Sequence, residues 1–149
     1  MTMSETSRWS RGAGLASNAI LVSARATHHA ATSAALAIHQ SPSATAESAT
    51  GAAILRRDVI HYADALDDPD VPIYARRGAQ TAGFRAFIMA PLLAEGRGLG
   101  AIFVGRETAG AFSDKEIALL KTFADQAVIA IENARLFNET HEALEHQRA

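Results

Sequence analysis

The feature that most limits the fold of this chain is a long helix near its C-terminus. No glycine or proline occurs over residues 113–145, and Ser113 with Glu116 forms the S-x-x-E pattern of a capping box, worth about 1 kcal/mol for the cap. Phe112 and Ile117 stand at the positions of a hydrophobic staple around the same start. At about 1.5 Å per residue, such a helix is longer than one small domain needs.

The apolar residues divide this helix into two parts. Over residues 117–131 they occur nearly all round, which predicts a mostly buried helix packed on the sheet of its own domain. Over residues 134–145 they narrow to a heptad-type seam, which predicts pairing with a second helix because this part would project beyond a compact domain. The predicted dimer seam consists of Phe123, Ala130, Phe137 and Leu144, at intervals of seven, and of Ala127, Ala134 and His141, four residues after the first three. Docking of the seam on the domain's own sheet remains the alternative.

Composition excludes several classes of function. The 149 residues suffice for one domain with a core, and a formal net charge of −2 does not favour nucleic-acid binding. The chain has no cysteine, which excludes disulfides, thiolate metal sites and cysteine nucleophiles and is compatible with the cytoplasmic location that we expect. No apolar run approaches the roughly 20 residues of a membrane span.

The N-terminal third differs from the rest of the chain. Residues 1–50 are rich in Ala, Ser and Thr and carry no Phe or Tyr, so burial offers little to offset the entropy of ordering them. Residues 19–22 form a short apolar run, and residues 41–45 read as a linker. We expect this segment to be poorly ordered or divergent, without a convincing pair of strands.

Denser patterning begins at residue 51. Residues 51–57 predict a short helix, and residues 58–62, with β-branched and aromatic side chains, predict a strand. Residues 67–70 have the Asp and Pro chemistry of a turn. A second short helix is predicted after Pro72 through Ala79, ending near Gly83.

Two apolar strands form the clearest pair in the chain. Residues 86–93 and 99–105 are apolar on both sides, which is typical of central strands covered on both faces. Residues 94–98 join them as a hairpin loop with glycine where positive φ is needed. The long helix should cover one face and residues 63–83 the other, with room there for a pocket.

These segments together resemble a GAF domain. The strand-loop-strand of residues 83–106 is followed by the Phe112-Ser113 helix start, by Ala124-Asp125-Gln126-Ala127, and by the series from Ile131 to Phe137. The resemblance covers about residues 51–149 and is closest to the GAF modules of bacterial sensor histidine kinases, where a similar helix leads into a signalling coiled coil. It implies an α/β (α+β) fold with an antiparallel central sheet covered by helices.

The resemblance also implies a domain organisation. Residues 1–50 form the divergent N-terminal segment, 51–133 the GAF-like core, and 134–149 the start of a signalling helix. A GAF domain begins with a helix and two strands, so these first strands are either missing or divergent here.

Ligands of the family narrow the choice of cofactor. The Asn-Lys-x-x-x-Asp-type signature of cyclic-nucleotide binders is absent, and covalent bilin attachment is excluded because it needs a cysteine. No cofactor is predicted. An anionic ligand could meet Arg77 or Arg85, although both are as easily explained as solvated charges. The candidate ligand-binding residues are Tyr62, Tyr74, Arg77, Phe84, Arg85 and Met89.

Other chemistry-bearing residues are better explained structurally. His28, His29 and His39 have no carboxylate at metal-ligand spacing, so no metal site is predicted, and His61 is expected to be a core or edge histidine. The aspartates at 64, 67, 68 and 70 lack the glycine and glutamate of a calcium loop, and the glycines at 96, 98 and 100 suit hairpin geometry.

The sequence therefore leads to a non-enzymatic sensory module that binds a small molecule or a partner and forms a homodimer through its terminal helix. Two alternatives remain: a fragment of a sensor histidine kinase whose activity lies in an absent output domain, or a degenerate remnant without ligand. No set of nucleophile, base and orienting residue is apparent.

Overall fold

The computed structural model describes residues 46–148 in full and the backbone of residues 19–22 and 32–38. The strands are β1 (Ala19–Val22), β2 (Thr32–Ile38), β3 (Ile60–Tyr62), β4 (Ala86–Ala94) and β5 (Arg97–Arg106). The helices of this part are α1 (Ala49–Arg56), α2 (Ile73–Ala82) and α3 (Asp114–Arg148). The predicted helices and the predicted antiparallel hairpin are therefore all present.

The strands form one antiparallel sheet in the order β1-β2-β5-β4-β3. The β4–β5 hairpin turns through Glu95 and Gly96, whose φ angles are 49° and 78°. Positive φ at both central residues is what a twist-matched two-residue hairpin turn requires. The loop is thus shorter than the predicted residues 94–98, because the strands extend further toward each other.

The two N-terminal strands correct a sequence-based expectation. No convincing pair of strands was expected in residues 1–50, yet β1 pairs with β2, and β2 pairs with β5 from Thr32↔Arg106 to Ile38↔Gly100. Residues 19–22 and 32–38 therefore belong to the sheet, although the sequence did not predict this pair of strands. β2 is rich in Ala and has little strand propensity, so its pairing with β5 decides its conformation, whereas Ile20 and Val22 of β1 favour a strand.

The core has two layers, one on each face of the sheet, as the apolar character of β4 and β5 predicts. On one face, Phe87 and Met89 of β4 and Phe103 of β5 pack under α1 and α2. On the other face, Ile88 and Leu92 of β4 pack against α3. Consecutive residues of a strand point to opposite faces, so these apolar strands supply both layers.

The short helices have defined ends. Ser48 caps α1, with its Oγ accepting the Gly51 N–H at 3.0 Å. Gly83 ends α2 in the left-handed conformation (φ 82°), with its N–H donating to the Ala79 carbonyl, where a C-terminal glycine is expected. Both helices therefore begin or end on the local signals that the sequence carries.

The long helix α3 spans 35 residues, about 52 Å at 1.5 Å per residue. The predicted capping box is confirmed: the Glu116 N–H donates to Ser113 Oγ (3.1 Å) and the Ser113 N–H donates to Glu116 Oε1 (3.3 Å). Glu116 also pairs with Arg106 of β5, which ties the helix start to the sheet. No helix among the described residues is long and apolar enough to cross a membrane.

The burial predicted for the first half of α3 is wrong. The helix docks on β4 and β5 as expected, but only Leu120 and Ala124 of α3 are buried. Leu119, Phe123 and Ile129 are each more than half exposed. One helix can press only one stripe against a sheet, so apolar residues on its other sides stay uncovered within one chain.

Candidate functional site

Three of the predicted ligand-binding residues lie in the core under α1 and α2. Tyr62, Phe84 and Met89 are 7%, 1% and 0% exposed. Phe84 packs edge-on against Phe103 (ring centroids 5.0 Å apart), and Tyr62 lies 5.2 Å from Phe87. These side chains contact one another, so they stabilise the fold in the conformation described here.

Arg85 is engaged by a carboxylate. Its Nε and Nη2 contact the two carboxylate oxygens of Asp64 at 3.1 and 2.5 Å, and Asp67 lies 3.6 Å away. The hydrogen bonds from Arg85 lower the pKa of Asp64 to about 2 despite some desolvation. Asp64 also accepts the N–H of Leu66, so this pair holds the start of the 63–71 loop against β4.

Two further contacts fasten the same loop. Arg76 of α2 donates to the carbonyls of Leu66 (3.1 Å) and Asp68 (2.6 Å), and the Tyr62 hydroxyl donates to the Asp70 carbonyl (3.2 Å). Arg76 was not predicted from the sequence, because its partners are backbone carbonyls eight and ten residues upstream that no local pattern marks. The turn interpretation of these aspartates is confirmed where Asp68 accepts the Asp70 N–H.

Tyr74 and Arg77 lie on the outside of α2. Tyr74 is 45% exposed, and the Arg77 guanidinium stands 6.0 Å from the centre of its ring. The structure therefore does not bring the six predicted residues to one cavity. Three are core, one belongs to an ion pair, and these two form an exposed cation–π pair.

Predicted seam residues are mostly uncovered. Phe123, Phe137 and Leu144 are 58%, 71% and 54% exposed. Ala130, Ala134 and His141 are exposed as well, whereas Ala127 is half-buried against the α3 layer of the core. The seam therefore runs along the flank of α3, beside the stripe that docks on the sheet.

The ion pairs of Arg135 lie away from the Phe and Leu residues of this seam. Arg135 pairs with Glu132 (3.1 Å) and Glu139 (2.7 Å) along its own helix. At 3.6 residues per turn, these three residues lie opposite Phe137 and Leu144.

The seam itself contains one polar contact, because His141 Nε2 lies 3.4 Å from Glu145 Oε1. The seam is therefore apolar at its Phe, Leu and Ala residues and polar at His141.

A cleft that the sequence did not indicate lies beside α3. It has a volume of about 240 Å³ and opens between the α1–β3 connection, the end of β4 and the first turns of α3. Lys121 of α3 and Asp58 close an ion pair at its rim (3.3 Å). The Val59 N–H and Lys121 both lower the pKa of Asp58. No local pattern marks this cleft, because its walls come from three segments, residues 57–59, 90–93 and 121–125, that are about 30 residues apart.

The histidines do not assemble a metal site in the described part of the chain. His61 is exposed on edge strand β3, beside an open groove of about 650 Å³, in agreement with an edge histidine. No group of three or more His, Cys, Asp or Glu side chains there is placed to hold an ion. His28, His29 and His39 lie outside the described residues.

Structural comparison agrees with a known fold. The GAF domain of a two-component sensor histidine kinase from Bacillus halodurans matches with a TM-score of 0.56 at 18% identity, over 80% of this chain and 82% of that chain. Free methionine-R-sulfoxide reductase from Neisseria meningitidis, in complex with its substrate, matches with a TM-score of 0.54 at 19% identity, over 70% and 68%. At these identities the likeness establishes the fold alone.

A third structure is matched over a smaller share. It is a domain assigned to a two-component sensor histidine kinase from Sinorhizobium meliloti 1021, with a TM-score of 0.51 at 23% identity. The match covers 56% of this chain and 57% of the Sinorhizobium meliloti chain. This chain therefore spans a little over half the length of that structure. No curated protein sequence matches the chain.

The family itself follows from the sequence match. The family model described as GAF domain matches residues 7–132, which include β1 and β2 and extend the resemblance seen from about residue 51. The antiparallel sheet, covered on both faces and followed by a long terminal helix, agrees with that match. This chain therefore belongs to the GAF domain family.

Proposed function

We propose that this chain is a non-catalytic sensory module that forms a homodimer through α3 and transmits a signal along that helix. The observation that carries the proposal is the row of exposed Phe and Leu side chains in the seam of α3, which the sheet leaves uncovered. A two-fold dimer brings each surface against its own copy, and the charges of Arg135, Glu132 and Glu139 lie on the opposite side of the helix, where they add no like-charge repulsion. Exposed Phe and Leu side chains at heptad spacing then gain burial only from a second helix.

The non-catalytic part of the proposal is supported by the side chains available. Several structures with this fold are sensory domains, but the Neisseria meningitidis protein is a reductase, so the fold does not decide the matter. This chain has no cysteine, which removes thiol-based redox chemistry. In the described residues we find no nucleophile with a base and an orienting partner.

Transmission would work by population shift. In this scheme α3 has two packing arrangements on the sheet, and a small molecule or a neighbouring domain binds one of them more tightly. Binding then raises the population of that arrangement, and the change in α3 is passed to the output domain. A histidine kinase or another output domain is the proposed recipient, in a cytoplasmic two-component system of a bacterium. An in-frame kinase core downstream would support the parent-kinase alternative, and a protein that retains no small molecule in native mass spectrometry would support the remnant.

Sedimentation velocity of the wild-type chain and of Phe137→Glu tests the dimer. We expect a reversible wild-type dimer and a dissociation constant at least tenfold higher for the variant, because a carboxylate would be buried against its own copy. His146→Glu is the matched control, since His146 lies on the exposed row of Glu132 and Glu139 and should leave the dimer intact. A wild-type chain that stays monomeric at high micromolar concentration would refute the proposal.

A further inference from the structure

The cleft beside α3 has the make-up of a small-molecule site. Apolar residues form its floor, with Ala90 and Ala124 buried and Val59, Pro91 and Leu93 half-buried, while polar groups make up the larger part of its accessible lining. At about 240 Å³ it is smaller than the roughly 300–1,000 Å³ of pockets for drug-sized ligands. It therefore suits a small metabolite with a short aliphatic body.

The rim of the cleft carries charges of both signs, of which one pair is already matched. Lys121 and Asp58 neutralise each other across the rim at 3.3 Å. Arg57 and Asp125 also line the cleft, and neither side chain has an ion pair or hydrogen bond with another described residue. Arg57 follows α1 as its left-handed C-cap residue (φ 55°), and its guanidinium lies near the β4–β5 turn at Gly96. Within the described part of the chain, the cleft thus offers one cation and one anion that no other side chain matches.

We propose that this cleft binds a small zwitterion, with its carboxylate at Arg57, its ammonium at Asp125 and its aliphatic body on the apolar floor. A molecule with only a carboxylate would leave Asp125 unmatched beside its apolar end, and a molecule with only an ammonium would leave Arg57 unmatched. Charge-assisted hydrogen bonds at both ends fix the orientation of the ligand. This inference rests on the proposed sensory function and names the ligand class that the module senses.

The position of the cleft explains how occupancy reaches α3. Among the described residues of α3, only Leu120 and Ala124 are buried, so these two anchor the helix on the sheet. Ala124 is also part of the cleft floor, and Lys121 and Asp125 flank it on the same helix. A ligand that contacts Lys121, Ala124 and Asp125 makes different contacts in each packing arrangement of α3 on the sheet. Its affinity therefore differs between the arrangements, which is the condition for a population shift. Phe123, the first seam residue, lies between them in sequence.

Two isomers provide the probe. In L-valine the ammonium and carboxylate groups are attached to the same carbon. In its isomer 5-aminopentanoate the two groups lie at opposite ends of a linear chain. Both are titrated into the full-length ¹⁵N-labelled chain and followed by amide NMR shifts, alongside pentanoate and pentylamine. We expect saturable shifts around residues 57–59 and 121–125 with at least one isomer, and binding at least tenfold weaker for the two singly charged compounds.

Two variants assign the charges. Arg57→Gln and Asp125→Asn change exposed side chains, and each should weaken binding of the zwitterion at least tenfold while leaving remote amide shifts unchanged. Arg77→Gln, on the outside of α2, is the control and should bind as the wild type does. Equal binding of zwitterion and pentanoate, shifts that map to the aromatic core around Phe84, or no saturation with either isomer would each overturn the inference. Sedimentation separates the two proposals, because a dimer without zwitterion binding refutes only the site, and binding by a strict monomer refutes only the dimeric module.

Discussion

Asp64 holds one loop in place through several hydrogen bonds made by a single carboxylate. It accepts the N–H of Leu66 and receives two hydrogen bonds from Arg85, while the Arg85 carbonyl accepts the Ala65 N–H at 2.5 Å. Side chain and backbone thus connect the same two points of the chain. The short side chain of Asp accepts hydrogen bonds from backbone N–H groups only a few residues away along the chain. This is why Asp is common in turns.

Removing the Asp64 charge should produce a pH-dependent loss of stability. Its pKa is about 2 in the folded chain against an ordinary value of 3.8, so its ionised form stabilises the fold above about pH 4. That contribution is lost as the pH falls through 3.8 toward 2. We expect Asp64→Asn to lower the thermal midpoint at pH 7 and the difference from wild type to shrink toward zero near pH 2.

Circular dichroism melts over a pH series measure this difference. Glu107→Gln, which removes an exposed carboxylate without an ion pair among the described residues, should change the midpoint little at any pH. A difference between wild type and Asp64→Asn that persists unchanged at pH 2 would contradict the role of the ion pair.

At the scale of elements, local hydrogen bonds decide where the helices begin and end. They do not decide which faces of the helices are buried. The cap at Ser113 is formed as the local pattern predicts, and Ser48 caps α1 by the same kind of local hydrogen bond. The exposed sides of α3 could not be predicted in this way, because the same apolar residues suit a buried helix or a helix that waits for a partner. The contact of α1 with β5 likewise depends on geometry between elements.

Gly98 shows how close that contact is. A Cβ at Gly98 would lie 2.6 Å from Cγ2 of Ile54 on α1. Gly98→Ala should therefore destabilise the chain by about 1–3 kcal/mol, through overpacking. Denaturant unfolding of Gly98→Ala, Ile54→Ala and the double variant measures the effect. The cost of Gly98→Ala should largely disappear in the Ile54→Ala background, and strictly additive costs would argue against the contact.

At the scale of the molecule, α3 continues beyond the body of the domain. The side chains from Asn133 to Arg148 are exposed, and none belongs to either core layer. Folding of the domain should therefore not require them, whereas pairing of two chains should.

A chain that ends at Glu132 tests this division. We expect it to fold with the amide NMR shifts of the wild-type core, since both core layers are complete by residue 131. It should sediment as a monomer at concentrations where the longer chain dimerises. Loss of the folded core would show that residues 133–148 stabilise the domain itself, and a dimer of undiminished affinity would place the interface elsewhere.

Much of the fold was predictable from local patterns. The capping box at Ser113, the glycine end of α2 at Gly83, and the apolar hairpin strands were all read correctly, because each depends on residues within one or two turns of chain. The site was less predictable. Tyr62, Phe84 and Met89 suit a ligand pocket near a covered face of the sheet, but the same apolar and aromatic side chains also suit burial in the core, where the structure places them.

The sequence by itself determined the helices and their ends, the central hairpin, the apolar seam and the exclusion of cysteine chemistry, since propensity, caps and periodicity act between near neighbours. Only the tertiary structure decided that β1 and β2 join the sheet, that Arg85 forms an ion pair with Asp64, and that Arg57 and Asp125 line the same cleft. These depend on contacts between residues 12 to 74 positions apart. Such contacts form only when the whole chain is packed, so no local pattern in the sequence encodes them.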